Sequence, residues 1–149
     1  MPERKLHRIS PYSVEQLYTL VLDIESYPEF IPWCTASRIL SYNDKEIIAD
    51  LVIGFSGFRE KYTSKVTKTP YSSDTKQAKV IVELMEGPFT HLDNFWVFTE
   101  TENGTIIDFD ISFKFNSKIL EKVIGIMFEK ALFKMIDSFE KRADQLYGK

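Results

Sequence analysis

The sequence predicts an α+β fold: a seven-stranded antiparallel sheet, wet on its outer face and covered on its inner face by one long C-terminal helix, with two short helices after the first strand. Three observations carry this. Six strand-like runs follow one another between residues 36 and 115 with only short, turn-rich connections. The last of these runs alternates strictly between apolar and polar residues. The chain then ends on an amphipathic helical segment far longer than any other helix it contains.

The elements follow in order. Lys5 to Ile9 reads as a first strand, ended by Pro11. Ser13 suits the N-cap of a helix from Val14 to about Asp23, in which Val14, Leu17, Tyr18, Val21 and Leu22 recur at helical spacing. A second, very short helix is expected around Pro28, which fits a first helical turn after Ser26 or Tyr27. Pro32 biases Ile31 away from helix. The strands are Ser37 to Leu40, Glu46 to Phe55, Phe58 to Thr67, Lys79 to Glu86, Leu92 to Thr99 and Thr105 to Phe115. Asn43-Asp44, Ser56-Gly57, Tyr71 to Asp74, Gly87-Pro88 and Asn103-Gly104 separate them, which favours antiparallel neighbours. In the last strand Ile107, Phe109, Ile111, Phe113 and Phe115 share one face, while Asp108, Asp110, Ser112 and Lys114 share the other. A period of two of this kind buries one face and wets the other.

Ser117 to Tyr147 reads as one helix, capped by Asn116 or Ser117 and stopped by Gly148. At 1.5 Å per residue it is about 46 Å long and must lie across the sheet. Its main apolar stripe is Leu120, Ile124, Met127, Phe128, Ala131, Leu132, Met135 and Phe139, continuing to Leu146. A strongly twisted sheet meets a straight helix well over only part of its length, and a cavity belongs in the space left over.

Composition bounds the function. The 149 residues suffice for a core without staples and are expected to form one domain, 1–149, because no linker, repeat or low-complexity tract divides them. A net charge of −3 argues against a nucleic-acid binder working by bulk electrostatics, and no DNA partner is expected. The lone Cys34 excludes an internal disulfide and fits a reducing compartment; no apolar run reaches membrane-spanning length and no leader is recognised, so a cytoplasmic protein is expected. His7, His91 and Cys34 do not sit at metal-ligand spacing, and no nucleotide-binding or hydrolase motif is present. No metal, resident cofactor or catalytic residue is assigned.

The inner sheet face is more informative. Phe58, Glu60, Tyr62, Ser64 and Val66 share a face of one strand, and Leu92, Asn94, Trp96 and Phe98 share a face of another. If these sets face inward, Glu60, Tyr62 and Asn94 are polar groups in an apolar space. They either satisfy one another and water or orient the polar head of an apolar ligand. Ile119, Ile126 and Phe133 form a second apolar row on the long helix: scattered surface hydrophobes, a partner or membrane surface, or packing under the short helices.

Several segments, taken in order, look familiar: Tyr27-Pro28-Glu29-Phe30-Ile31-Pro32-Trp33-Cys34; Gly87-Pro88-Phe89 with Leu92 and Trp96-Val97-Phe98; Phe113-Lys114-Phe115-Asn116; and Phe139-Glu140-Lys141-Arg142-Ala143 ending in Leu146-Tyr147-Gly148. Together they resemble the coenzyme Q-binding and ribosome association toxin branch of the START-like superfamily, also labelled polyketide cyclase and lipid transport. The resemblance covers essentially the whole chain. It implies a helix-grip fold, a quinone or lipid ligand such as ubiquinone, and no catalysis, with ribosome binding as the alternative role and a polyketide cyclase as a more distant one.

A ligand site on this reading draws on Phe30, Trp33, Phe58, Glu60, Tyr62, Phe89, Asn94, Trp96, Phe113, Met127, Ala131 and Met135, with Phe89 near the mouth. A soluble carrier of so apolar a ligand must load at a membrane surface, which adds a peripheral place at the inner membrane. Tyr27 to Trp33 is read in two ways, as the gate that touches the membrane interface or as a plug at the end of the core. For a ribosomal partner, Arg59, Lys61 and Lys65 supply a local basic face.

Overall fold

The alternation in the strands resolves into one sheet with one buried face. In the computed structural model the described backbone covers residues 3–55 and 58–148, and side chains are described for all of these except 55, 58 and 123–129. The strands are β1 (Glu3–Ser10), β2 (Cys34–Tyr42), β3 (Glu46–Phe55), β4 (Phe58–Ser72), β5 (Gln77–Glu86), β6 (Phe89–Thr101) and β7 (Gly104–Phe115). They form a seven-stranded sheet in the order β1-β7-β6-β5-β4-β3-β2, antiparallel throughout. The chain passes from β1, at one edge, to β2, at the other, through helix α1 (Val14–Leu22) and a 3-10 helix (Ile24–Glu29). Helix α2 (Lys118–Tyr147) follows β7 and lies on the inner face, giving the helix-grip arrangement.

Local chemistry accounts for the helix ends. Ser13 Oγ accepts from Gln16 N (3.1 Å) and Gln16 Oε1 accepts from Ser13 N (3.0 Å), a reciprocal capping box. Ser117 Oγ accepts from Leu120 N (3.3 Å), and Glu121 accepts from the Phe115 backbone N–H, so the turn into α2 is tied on both sides. Glu102-Asn103 makes the β6–β7 turn; Gly104, the first residue of β7, has φ +152°, and a Cβ there would lie 2.1 Å from Ser10 O of β1. Only glycine tolerates that backbone and that approach.

Three expectations shift. The short helix starts at Ile24, and Pro28 stands near its end instead of in its first turn. Ile24 is fully buried, its carbonyl accepts from Ser37 Oγ (2.7 Å), and Glu25 Oε2 accepts from the edge amide of Ile39 (3.0 Å). Contacts with β2 thus set the start of the expected short helix at Ile24. β4 runs on to Ser72 through Pro70, which a central strand normally excludes. The β4–β5 register is irregular between Thr69 and Ser72, so Pro70 falls where no ladder donor is required. The α2 stripe also turns: Leu132, Met135, Ile136, Phe139 and Ala143 are buried, whereas Leu146 is exposed. Ile136 and Ala143 face toward α1, a side of the helix that a sheet-only stripe leaves out. Ile124, Ile126, Met127 and Phe128 lie outside the described side chains, as does the Ser56-Gly57 turn. Ile119 and Phe133 of the second apolar row are exposed.

The main core gathers the inner faces of β3 to β7 under α1 and the C-terminal half of α2, while a smaller cluster of Ile53, Phe89, Leu92, Phe113, Phe115 and Leu120 sits under the start of α2. Trp96 stands at the centre of the main core, 5% exposed, with Phe98, Phe109 and Phe139 rings around it. Trp96→Ala should lower the unfolding free energy by about 3 kcal/mol, the low end for an aromatic-to-alanine change because one side of the ring already borders empty space. Urea denaturation measures it; a loss under 1 kcal/mol would show that Trp96 does not hold this core together.

Candidate functional site

A cavity of about 100 Å³ lies between the sheet and α2 at the end nearer the start of that helix. Its sheet side is Ile53 of β3, Tyr62 of β4, Phe89 and Leu92 of β6, and Ile111, Phe113 and Phe115 of β7; Ala131, Leu132 and Met135 of α2 close it from above, and Trp33 borders it from the turn before β2. Strand alternation puts most of these side chains on one face, and the register shift between Phe89 and His91 brings Phe89 onto the same face as Leu92. The turn Gly87-Pro88 sets the position of Tyr62. Gly87 has φ +153°, and a Cβ there would lie 2.5 Å from Tyr62 Cβ, so glycine alone lets the turn close against β4. The ring of Phe89 meets that of Tyr62 edge to face at 5.4 Å and stacks on Phe115 at 4.5 Å. Trp33 is anchored through its carbonyl, which accepts from Gly54 N (2.9 Å).

The described lining is apolar except for the Trp33 indole and the Tyr62 hydroxyl. Among the described residues that hydroxyl has no hydrogen-bond partner, and burial pushes the phenol above its ordinary value, so it remains an O–H donor at neutral pH.

Of the residues expected at a ligand site, Trp33, Tyr62, Phe89, Phe113, Ala131 and Met135 are brought together here. Phe58 and Met127 fall outside the described side chains. The other four are placed elsewhere. Glu60 is half-buried, opposite Ile53 toward the β3–β4 end, and does not reach the lining. Asn94 has both ends of its amide engaged: Oδ1 accepts from Trp96 Nε1 and Nδ2 donates to Asp110 O, both at 3.0 Å. Its polarity is satisfied inside the sheet, and no ligand is needed to explain it. Trp96 faces the opposite end of the core, where it borders a second cavity. Phe30 packs edge to face on Tyr27 (5.9 Å) and Phe139 (5.2 Å), with the Arg142 guanidinium 5.2 Å from its ring centre. The three bulky aromatics of the 27–33 segment therefore part: Tyr27 and Phe30 pack against Phe139 in the core, and Trp33 borders the cavity.

Ile53, Leu92, Ile111, Phe115 and Leu132 also line the site and were not named as ligand residues from the sequence. Their inward parity was readable; which end of each strand holds the void was not, because that depends on where α2 crosses. The second cavity, about 220 Å³, lies under α1 and the last turns of α2 and left no mark in the sequence. Among the described residues no cluster of histidine, cysteine and carboxylate groups is placed to hold a metal, and no described helix is long and apolar enough to cross a membrane.

Comparison with known proteins agrees with this geometry. The family model described as polyketide cyclase/dehydrase and lipid transport matches residues 10–140. A ribosome association toxin, RatA, of Rickettsia prowazekii is 44% identical over 139 residues, 93% of this chain and 94% of its own. The mitochondrial coenzyme Q-binding protein COQ10 homolog B of Xenopus laevis is 30% identical over 147 residues, 95% of this chain and 58% of its own. The solution structure of an 18 kDa protein from Caulobacter crescentus superposes with a TM-score of 0.76 at 33% identity, covering all of both chains.

Cys34 lies one residue beyond Trp33 and is buried, its Sγ donating to Ala36 O (3.6 Å). Burial pushes the thiol up to about 11 from an ordinary 9.0 and also raises the Tyr27 and Tyr62 phenols. Above pH 9 the unfolded chain therefore releases the Cys34 proton before the folded chain does, and stability falls as pH rises toward 11. The urea midpoint should hold steady from pH 7 to 8.5 and then decline, with a shallower decline in Cys34→Ala. Identical pH profiles for the two proteins would refute the thiol's share.

Proposed function

Because the chain belongs to the polyketide cyclase/dehydrase and lipid transport family, we propose that it binds a hydrophobic ligand in the cavity between the sheet and α2, with the Tyr62 hydroxyl as the polar anchor. The ligand class is ubiquinone or a related prenyl lipid, held as a carrier or chaperone that supports respiration. One observation carries the reading: an unpartnered, protonated hydroxyl in an otherwise apolar space. The hydroxyl borders open space in the cavity, and a quinone carbonyl supplies an acceptor there together with a flat ring that suits Trp33, Phe89 and Phe113.

The size of the cavity constrains the pose. About 100 Å³ holds one small ring or a comparable branched unit, short of the roughly 300 Å³ at which ordinary ligand pockets begin. A long prenyl tail therefore lies outside this space or widens it by moving the start of α2. Loading takes place at a membrane surface, through the end of the cavity bordered by Trp33, in a transient contact. The reading is of a binding module, not an enzyme: Glu60, the carboxylate best suited to base catalysis by its place in the sequence, is absent from the described lining, and the raised Tyr62 phenol is a poor base.

A second reading is ribosome association, favoured by the 44% identity to a protein of that name across nearly the full length of both chains. Arg59 and Lys61 project from the outer face of β4, and Lys65 beside them pairs with Glu46 (3.6 Å). The two readings are compatible, because one uses the inner face of the sheet and the other the outer.

Organic extraction of protein purified from its own cell should yield a quinone, and the apoprotein should bind a short-tailed ubiquinone. Tyr62→Phe should weaken that binding about tenfold, the equivalent of one hydrogen bond, with little loss of stability. Quinone-free preparations that take up none, or unchanged affinity in Tyr62→Phe, would remove the anchor and with it this reading. For the second, the protein should co-sediment with the large ribosomal subunit at low salt, and Arg59→Glu with Lys61→Glu should abolish this; protein that stays in the supernatant excludes it.

A further inference from the structure

We propose that the second cavity is a separate binding site for a single-chain amphiphile whose head group carries both a negative and a positive charge. It stands independently of the quinone reading, at the other end of α2. Leu17, Leu20 and Val21 of α1 form one wall and Ile136, Phe139 and Ala143 of α2 the other, above a floor of Phe98 and Phe109. The edge-to-face pair of Trp96 and Phe139, 5.1 Å between ring centres, borders this space and not the first; Leu132 and Met135 turn to the first cavity, Ile136 and Phe139 to the second.

Its volume, about 220 Å³, is twice that of the first. Well-packed interiors contain few voids larger than one water, and an apolar floor does not hold water in order. An engineered apolar cavity of roughly 150 Å³ suffices to bind benzene, so this space takes a short length of hydrocarbon chain.

The mouth selects the head group. Arg8 of β1 and Glu140 and Asp144 of α2 surround it, with Tyr12 between them. Asp144 is already engaged, accepting from the Tyr12 hydroxyl at 2.5 Å. Arg8 has its guanidinium 5.9 Å from the Phe133 ring centre and, among the described residues, no carboxylate within 4.0 Å. Glu140 has no cation within 4.0 Å among the same residues. One free cation and one free anion thus flank an apolar hole. A zwitterionic head answers both, its anionic group at Arg8 and its cationic group at Glu140, while the chain enters between α1 and α2. An uncharged head leaves both unanswered.

The test uses the full chain and dodecylphosphocholine below its critical micelle concentration. We expect one saturable site, with nuclear Overhauser contacts from the dodecyl chain to the methyl groups of Leu20 and Ile136. Binding should survive Ala131→Trp, which fills the first cavity, and fall at least tenfold in Ala143→Phe, which fills the second. Arg8→Ala should weaken it about fivefold, and dodecyl maltoside, with its uncharged head, should bind about tenfold more weakly to the wild type. Contacts confined to Ile53 and Leu92, loss of binding in Ala131→Trp, or equal affinity for the two detergents would overturn the proposal. The contact map and the detergent comparison are read on wild-type protein, so they decide the matter even if Ala143→Phe does not fold. Failure of quinone binding with dodecylphosphocholine binding intact would sink the first site and leave this one standing.

Discussion

The ring of Phe139 is where the sheet, the long helix and the bridging helices are held to one another. It meets Trp96 of β6, Tyr27 of the 3-10 helix and Phe30 edge to face, with ring centres 5.1, 5.5 and 5.2 Å away. Tyr27 in turn donates its hydroxyl to the Val21 carbonyl at the end of α1, and the Arg142 guanidinium covers the outer face of Phe30. Each edge-to-face pair adds on the order of 1 kcal/mol beyond the area it buries. Together they fix the lateral position of α2 on the sheet. Because a twisted sheet and a nearly straight helix diverge away from their closest contact, a junction near one place leaves space on either side. The two cavities are those spaces.

Polar groups behave differently on the two sides of that junction. Asn94 spends both ends of its amide on Trp96 and the Asp110 carbonyl, and so locks the indole that forms the junction. Asp50, on the outer face and mostly buried, accepts from Thr63 Oγ1 (2.5 Å) and lies 3.8 Å from Arg38. Tyr62, one register pair from Asp50–Thr63 on the opposite face and packed against Gly87, has among the described residues no hydrogen-bond partner and an open space beside it. A satisfied polar group specifies the fold; an unsatisfied one beside a cavity specifies a ligand. Among the described residues the Ser64 hydroxyl is also buried without a partner, but it lies between Ala49 and Leu84 in the sheet and lines neither cavity.

The consequence for function is a division of labour along α2. Its middle turns, at Ala131, Leu132 and Met135, cover a small, almost wholly apolar space. Its last turns share with α1 a larger space whose mouth carries opposite charges. Strand alternation sends successive side chains to opposite faces, so the outer face of the sheet is separate from both cavities.

Strand alternation, the capping serines and the length of α2 determined by themselves that this chain forms an antiparallel sheet covered by one long C-terminal helix. These are local properties of period two, of period 3.6 and of Ser13 and Ser117, and they hold whatever packs against them. The sequence likewise put Tyr62 and Phe113 on the apolar faces of their strands by period two, and Ala131 on the apolar stripe of α2 by period 3.6. Tertiary structure decided the rest. It set the start of the short helix at Ile24 through Ser37 and Ile39, carried β4 through Pro70 at a register break, turned Ala143 and Ile136 toward α1, and sent Trp96 and Asn94 away from the first cavity. Each depends on a contact between segments far apart in the chain, which no local period encodes. A void is the extreme case: it is set by where two surfaces fail to meet, and only their joint placement defines it.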